Sequence, residues 1–270
     1  MFQDSFFKIG SEHNICQDYA LTNKDNLGNY YGIISDGCSS VNRSEYGAQT
    51  LTLLAEKTYL SLNKDISLEH FYNSFQDKLL KNMQIYKDNN IKFLNINDDF
   101  MSASLGLITA KNNIAHSMLF GDGNIIVEFQ DNSYSIVRVE YEDNTPFYLE
   151  YYSNKNYLER AKNKELNNKT VTYLNFKKID DAFILDSKYT QTVDIMSPIM
   201  FAFTSNFLKK IAITSDGLQT FNITDEEILF NLFQYKNTAP NFAQRRYNMY
   251  MKEKTIKHED DISIAVFAFE

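Results

Sequence analysis

The chain has 270 residues, 43% of them hydrophobic and 14% aromatic, a composition that belongs to folded globular proteins and excludes a disordered one. A formal net charge of −8 argues against a nucleic-acid partner, which would call for a basic surface. The opening MFQDSFFKIG lacks the basic and long apolar regions of a secretory signal, no apolar run is long enough for a transmembrane helix, and Cys16 and Cys38 form no disulfide framework, so a cytoplasmic protein with no membrane partner is expected.

Residues 5–9 read as a first strand, followed by a polar loop carrying His13, Cys16 and Asp18. Strands at 19–22 and 30–35 come next, the second running into Ser35-Asp36-Gly37. A helix is predicted over 44–60, with Leu51, Leu54 and Ala55 on one side. Another begins near Ser67, where Phe71, Phe75, Leu79, Met83 and Tyr86 recur every three or four residues. That aromatic stripe reads as core packing, not as a ligand box. From Met101 the period changes to two, and 104–110, 114–120, 125–130 and 134–141 read as consecutive antiparallel strands, with a hairpin expected at Gly121-Asp122-Gly123. Residues 142–188 are polar and weakly periodic and read as an insertion or flap with a short helix near 157–165. Strands at 196–203 and 210–215 precede a helix opened by the capping box Thr224-Asp225-Glu226-Glu227. A helix over 239–254 presents Arg245, Arg246, Lys252 and Lys254 as a solvated face, and a strand at 260–267 closes the chain. This order predicts one α+β domain over 1–270, because a doubly wound parallel sheet would need crossover helices within 104–141.

Of nine glycines, three directly follow an aspartate: Gly37, Gly123 and Gly217. Asp-Gly is most often a hairpin turn, yet at 36–37 and 216–217 a helix is predicted to follow instead. Ser215-Asp216-Gly217 thus repeats the device of Ser35-Asp36-Gly37, and Asp260-Asp261 inverts it by leading into an apolar strand. If these strands are neighbours, the acids converge at one sheet end and offer the oxygen ligands that hard divalent cations take. Two such ions about 3.5–4 Å apart polarise phosphate oxygens and acidify a water that attacks phosphorus, with no Ser, Cys or His nucleophile required.

In chain order, Cys16-Gln17-Asp18, Asp36-Gly37 with Ser44 and Gly47-Ala48, Gly121-Asp122, Ser215-Asp216-Gly217 and Asp260-Asp261-Ile262-Ser263 resemble the successive motifs of the metal-dependent, type-2C protein phosphatases in their bacterial form. The resemblance implies a four-layer αββα sandwich, two antiparallel sheets flanked by helices, with a binuclear Mn2+ or Mg2+ centre. It also implies a phosphorylated protein as substrate, hydrolysed at phosphoserine or phosphothreonine. By this analogy Asp36 bridges the ions and Gly37 lends its carbonyl. Asp216 and Asp260 complete the second ion's shell, Asp18 holds a water on a metal, and Asp122 joins Asp216 around a third, weaker ion. Asp181 and Asp186 match nothing in the family pattern.

Three positions depart from that pattern. His13 stands where a phosphate-gripping arginine is common, so its grip, counted here as catalytic alongside Asp36, is expected to be weaker and pH-dependent. Cys38 replaces a histidine suggested as general acid, and Ser39-Ser40 replace glycines. These departures favour the alternative of a weakened phosphatase-like module that binds a phosphoprotein or partner without turnover; the retained acids favour an active enzyme, expected as a monomer. Cys16 and Cys38 read as structural thiols ahead of a redox switch. His70, His116 and His258 read as structural, and no Cys/His spacing supports zinc.

Overall fold

The computed structural model describes residues 1–64, 66–163, 168–180, 182–197, 199–253 and 256–269. Asp181 and the expected helix ends at 165 and 254 lie outside the described residues. Three strands, β1 (Phe2–Lys8), β2 (Asp18–Lys24) and β3 (Tyr30–Gly37), lead into α1 (Ser44–Leu60) and α2 (Leu68–Leu94). Then come β4 (Ala103–Lys111), β5 (Ile114–Phe120), β6 (Gly123–Phe129), β7 (Tyr134–Tyr141), α3 (Lys155–Lys162), β8 (Lys169–Ile179), β9 (Ala182–Val193), β10 (Ile199–Thr204) and β11 (Leu208–Thr214). The chain ends with α4 (Asp225–Leu232), α5 (Phe242–Glu253) and β12 (Ile262–Ala268).

The strands form two antiparallel sheets, one ordered β1-β12-β11-β6-β7-β8-β9 and the other β10-β5-β4-β3-β2. Between them, Ile211, Ile213, Ala265 and Phe267 pack on Ile34, Ile108 and Leu119. Gly106 matters here, because a side chain at that position would run into Ile213 of the facing sheet. On the outer face of the five-stranded sheet, Leu51 and Ala55 of α1 and Phe75 and Leu79 of α2 cover Ile33, Leu105 and Leu107. Ile228 and Leu229 of α4 and Phe242 and Tyr247 of α5 cover Ile126, Ile136 and Ile264 of the other sheet. The result is the expected α+β, four-layer sandwich, held by apolar faces worth roughly 1.5–3 kcal/mol per fully buried large side chain. Helix starts agree with the sequence: Ser67 Oγ accepts the His70 N–H at 3.3 Å, and Thr224 and Glu227 close a capping box.

Two details differ from expectation. β5 and β6 are not a hairpin: β5 lies in the five-stranded sheet and β6 in the seven-stranded one, so Gly121-Asp122 is a crossing between layers. Gly121 has φ 84° and Gly123 φ 129°, a conformation that suits glycine, and a side chain at Gly121 would strike Ser104. Residues 142–188 also carry more order than their weak periodicity suggests, since β8 and most of β9 extend the seven-stranded sheet. β9 is an edge strand exposed along almost its whole length, so it has no buried face to impress a period of two on the sequence.

Candidate functional site

The antiparallel pairings decide where the acids go. The start of β2, the end of β3, the start of β4 and the end of β5 share one end of their sheet, because each strand runs against its neighbour. The crossing at Gly121-Asp122 carries that end onto the start of β6, the end of β11 and the start of β12. Asp18, Asp36, Asp122, Asp216 and Asp260 all stand on these strand ends or next to them.

Asp18 is directly opposite Asp36 in the β2–β3 register, and Asp36 is opposite Ser104 of β4. Ser104 Oγ in turn donates to Asp122 Oδ1 and accepts the Asp122 N–H at 3.2 Å. The carboxyls of Asp36 and Asp216 lie within hydrogen-bonding reach of each other. Asp18 and Asp122 are buried, while Asp36, Asp216 and Asp260 keep one side open to solvent. Both oxygens of Asp18 are buried without a well-formed hydrogen bond among the described residues. Such packing of like charge shows in the proton affinities. Burial, then the charges of Asp18, Asp216 and Asp122, push Asp36 well above the usual carboxylate range. Burial pushes Asp18 up to about 7, with the nearby Ser215 and Ser263 hydroxyls tempering the rise. Burial and then Asp216 push Asp122 up to about 8, and Asp216 itself is raised by burial and by Asp260.

Asp260 is placed by its backbone. Its N–H and that of Glu259 both donate to Thr220 Oγ1 at 3.1 Å, and Thr220 Oγ1 donates to the Gly217 carbonyl at 2.8 Å, tying the turn after β11 to the segment before β12. The His258 ring, buried between Phe221 and Tyr247, meets the Asp260 carbonyl through Nδ1 at 2.7 Å and the Tyr247 hydroxyl through Nε2 at 2.6 Å. It acts structurally, as His70 does at the α2 cap. Gly217 passes so close to the Asp261 carbonyl that no side chain fits there. Gly37 donates its N–H to the Gln17 carbonyl at 3.1 Å, which locks the Asp18 and Asp36 segments together.

Asp261, only 1% exposed, was not foreseen as a site residue. Its carboxylate accepts the Gly10 N–H at 2.7 Å and the Gln17 N–H, and lies 3.0 Å from His13 Nδ1. His13 Nε2 is 3.5 Å from Asp260. Burial pulls the His13 proton affinity down, but the neighbouring Asp261, Asp260 and Asp18 outweigh it and leave it raised. A second unforeseen group is Tyr148, a buried residue that lies near Cys38. Burial and then the Asp122 charge push its proton affinity up, which keeps the O–H intact. Cys16 is likewise pushed up to about 12, chiefly by burial. Among the described residues no three His, Cys, Asp or Glu side chains are arranged to hold one metal ion together, and no helix is long and apolar enough to cross a membrane.

Comparison with known proteins gives a family. The model of the family described as protein phosphatase 2C matches residues 10–259. No curated protein sequence matches. The structure is similar to the serine/threonine phosphatase Stp1 from Staphylococcus aureus, with TM-score 0.60 and 13% identity over 100% of this chain and 96% of that one. It is similar to the S. agalactiae serine/threonine phosphatase, with TM-score 0.56 and 13% identity over 99% of this chain and 100% of that one. A bacterial serine phosphatase matches with TM-score 0.59 and 12% identity over 99% of this chain and 97% of that one. At these identities the structural likeness speaks for the fold.

Proposed function

From a chain that belongs to the protein phosphatase 2C family, and with it to the phosphoprotein phosphatase hydrolases, we propose an active enzyme that hydrolyses phosphoserine and phosphothreonine in proteins and depends on two Mn2+ or Mg2+ ions. The observation that carries the reading is the Asp18–Asp36 pair: two carboxylates opposed on neighbouring strands, with both Asp18 oxygens buried and making no well-formed hydrogen bond among the described residues. An ionised carboxylate in that state is costly unless a cation answers it. The donors are all oxygen, which suits Mg2+ or Mn2+ and not a thiolate-seeking metal. When bound, the ions would supply a water acidic enough to attack phosphorus and positive charge for the phosphoryl oxygens.

The residues divide the remaining work. Asp36 and the Gly37 carbonyl would hold the ions, and Asp216 and Asp260 would complete the ligand set of the second ion. Asp18, opposite Asp36, would orient a water by accepting its hydrogen bond. Asp122, set by Ser104, would share a third and weaker ion with Asp216. His13, kept cationic by Asp261 and Asp260, would grip the substrate phosphate as an arginine otherwise would. The Tyr148 O–H stands beside Cys38, at the position left without a histidine, and would donate to the leaving or phosphoryl oxygen.

Phosphate release from a phosphothreonine peptide tests this, with Mn2+ and with chelator, in the wild type and in Asp36→Asn. We expect metal-dependent turnover that falls at least about a hundredfold in the variant. Metal and peptide binding without phosphate release would instead identify a binding module.

A further inference from the structure

We propose that the cavity beside the Asp36 loop is a specificity pocket for an aromatic side chain of the substrate, carried about two residues from the phosphorylated serine or threonine. The inference rests on the phosphatase reading above for the position of the phosphate. The cavity measures about 340 Å³, within the size of ordinary ligand sites. One wall comes from Cys38 and Ser40 and another from Phe147, Tyr148, Tyr151 and Tyr157, with Arg160 also in the lining.

The fixed wall is well anchored. Cys38 donates its N–H to the Ser102 carbonyl at 3.0 Å, and its own carbonyl accepts from Val41 at 3.0 Å. Cys38 follows Asp36 by two residues, so the cavity begins within roughly 7 Å of the acid cluster along the chain. An extended peptide advances about 3.3–3.6 Å per residue, so a side chain in the cavity belongs to a residue about two positions from the one at Asp36. Substrate is therefore the occupant that the location admits.

The chemistry of the second wall favours an aromatic ring over an aliphatic chain. Tyr151 and Tyr157 stack with centroids 3.8 Å apart and planes 2° from parallel. Phe147 and Tyr148 each meet Tyr151 edge to face, with centroids at 5.5 Å. These arrangements present ring faces and edges that another ring can extend. The Arg160 guanidinium lies 5.8 Å from the Tyr157 ring centroid. A cation so placed favours a further aromatic ring next to Tyr157.

The test uses one phosphothreonine peptide with alanine at three positions on either side, and six versions in which phenylalanine replaces each alanine in turn. With Mn2+, the wild type is expected to favour at least one phenylalanine peptide by roughly tenfold in kcat/KM over the alanine parent. Anisotropy of labelled peptides under chelator should show the same preference in affinity, independent of turnover. Tyr157→Ala should bring both ratios close to one while leaving hydrolysis of the alanine parent unchanged, and Tyr157→Phe should keep the preference. Peptides that all bind and react within twofold of the parent, or a preference that survives Tyr157→Ala, overturn the pocket. Absence of turnover with every peptide would overturn the phosphatase reading, and the affinity ratios would still decide the pocket.

Discussion

Asp18 and Asp36 occupy facing positions of the β2–β3 ladder, so that two acids of like charge are held together by backbone hydrogen bonds. Like charges opposed across strands are destabilising. The fold carries that repulsion at the mouth of an otherwise well-packed sandwich, and a divalent cation is what would relieve it.

The pH dependence of the metal-free protein should expose this strain. Asp18 and Asp122 have affinities raised to about 7 and about 8 against 3.8 in an unfolded chain, so between those values the folded state holds more protons than the unfolded one. Stability must then fall as pH rises through that window, the reverse of ordinary salt-bridged carboxylates. Thermal melts under chelator should show a midpoint several degrees lower at pH 8 than at pH 5, and Mn2+ at pH 8 should restore it. A midpoint that rises from pH 5 to pH 8 without metal would refute the repulsion.

His13 should add to the same trend. Its raised affinity, above 6.5, means that its pairing with Asp261 and Asp260 stabilises fully below pH 6.5 and is lost as pH rises through the raised value. His13→Ala should therefore lower the melting temperature more at pH 6 than at pH 9. It should also raise KM for a phosphothreonine peptide by roughly tenfold, the loss of a charge-assisted contact.

Gly217→Ala tests the close approach of the turn after β11 to the Asp261 carbonyl. Backbone must move to admit the methyl group, at a cost of about 2–3 kcal/mol. Denaturant unfolding should report that loss, and metal-dependent turnover should fall with it, because Thr220 links the same turn to Asp260.

Cys16 should be inert. With burial pushing its thiol up to about 12, little thiolate exists at pH 8. In a Cys38→Ser background, a disulfide reagent should label Cys16 at least about a hundredfold more slowly in the folded protein than in denaturant. Equal rates would restore the redox-switch alternative.

The parts of this molecule legible in its sequence are those where one physical pattern dominates. The apolar stripe of α2, the Thr224 capping box and the alternation through β4 to β7 all named their elements, and the Asp-Gly pairs before helices marked Asp36 and Asp216. What escaped depends on partners distant in the chain. Gly121-Asp122-Gly123 looks like a hairpin turn because local sequence cannot say that β5 and β6 join different sheets. β8 and β9 were hidden because a bulge between Asn175 and Phe176 shifts the period and β9 faces solvent. Asp261 passed as the neighbour of a site residue, and its role emerges only when Gly10, His13 and Gln17 fold around it. Tyr148 had no signal at all, since its nearness to Cys38 spans more than a hundred residues of chain.

Calorimetric titration of Mn2+ into the chelator-stripped protein at pH 8, for wild type and Asp36→Asn, tests the central claim most directly. The account predicts that two ions bind the wild type with release of protons from the crowded acids, and that Asp36→Asn loses at least one ion and most of the proton release. Binding of equal stoichiometry and affinity in the two proteins, or none in either, would contradict it.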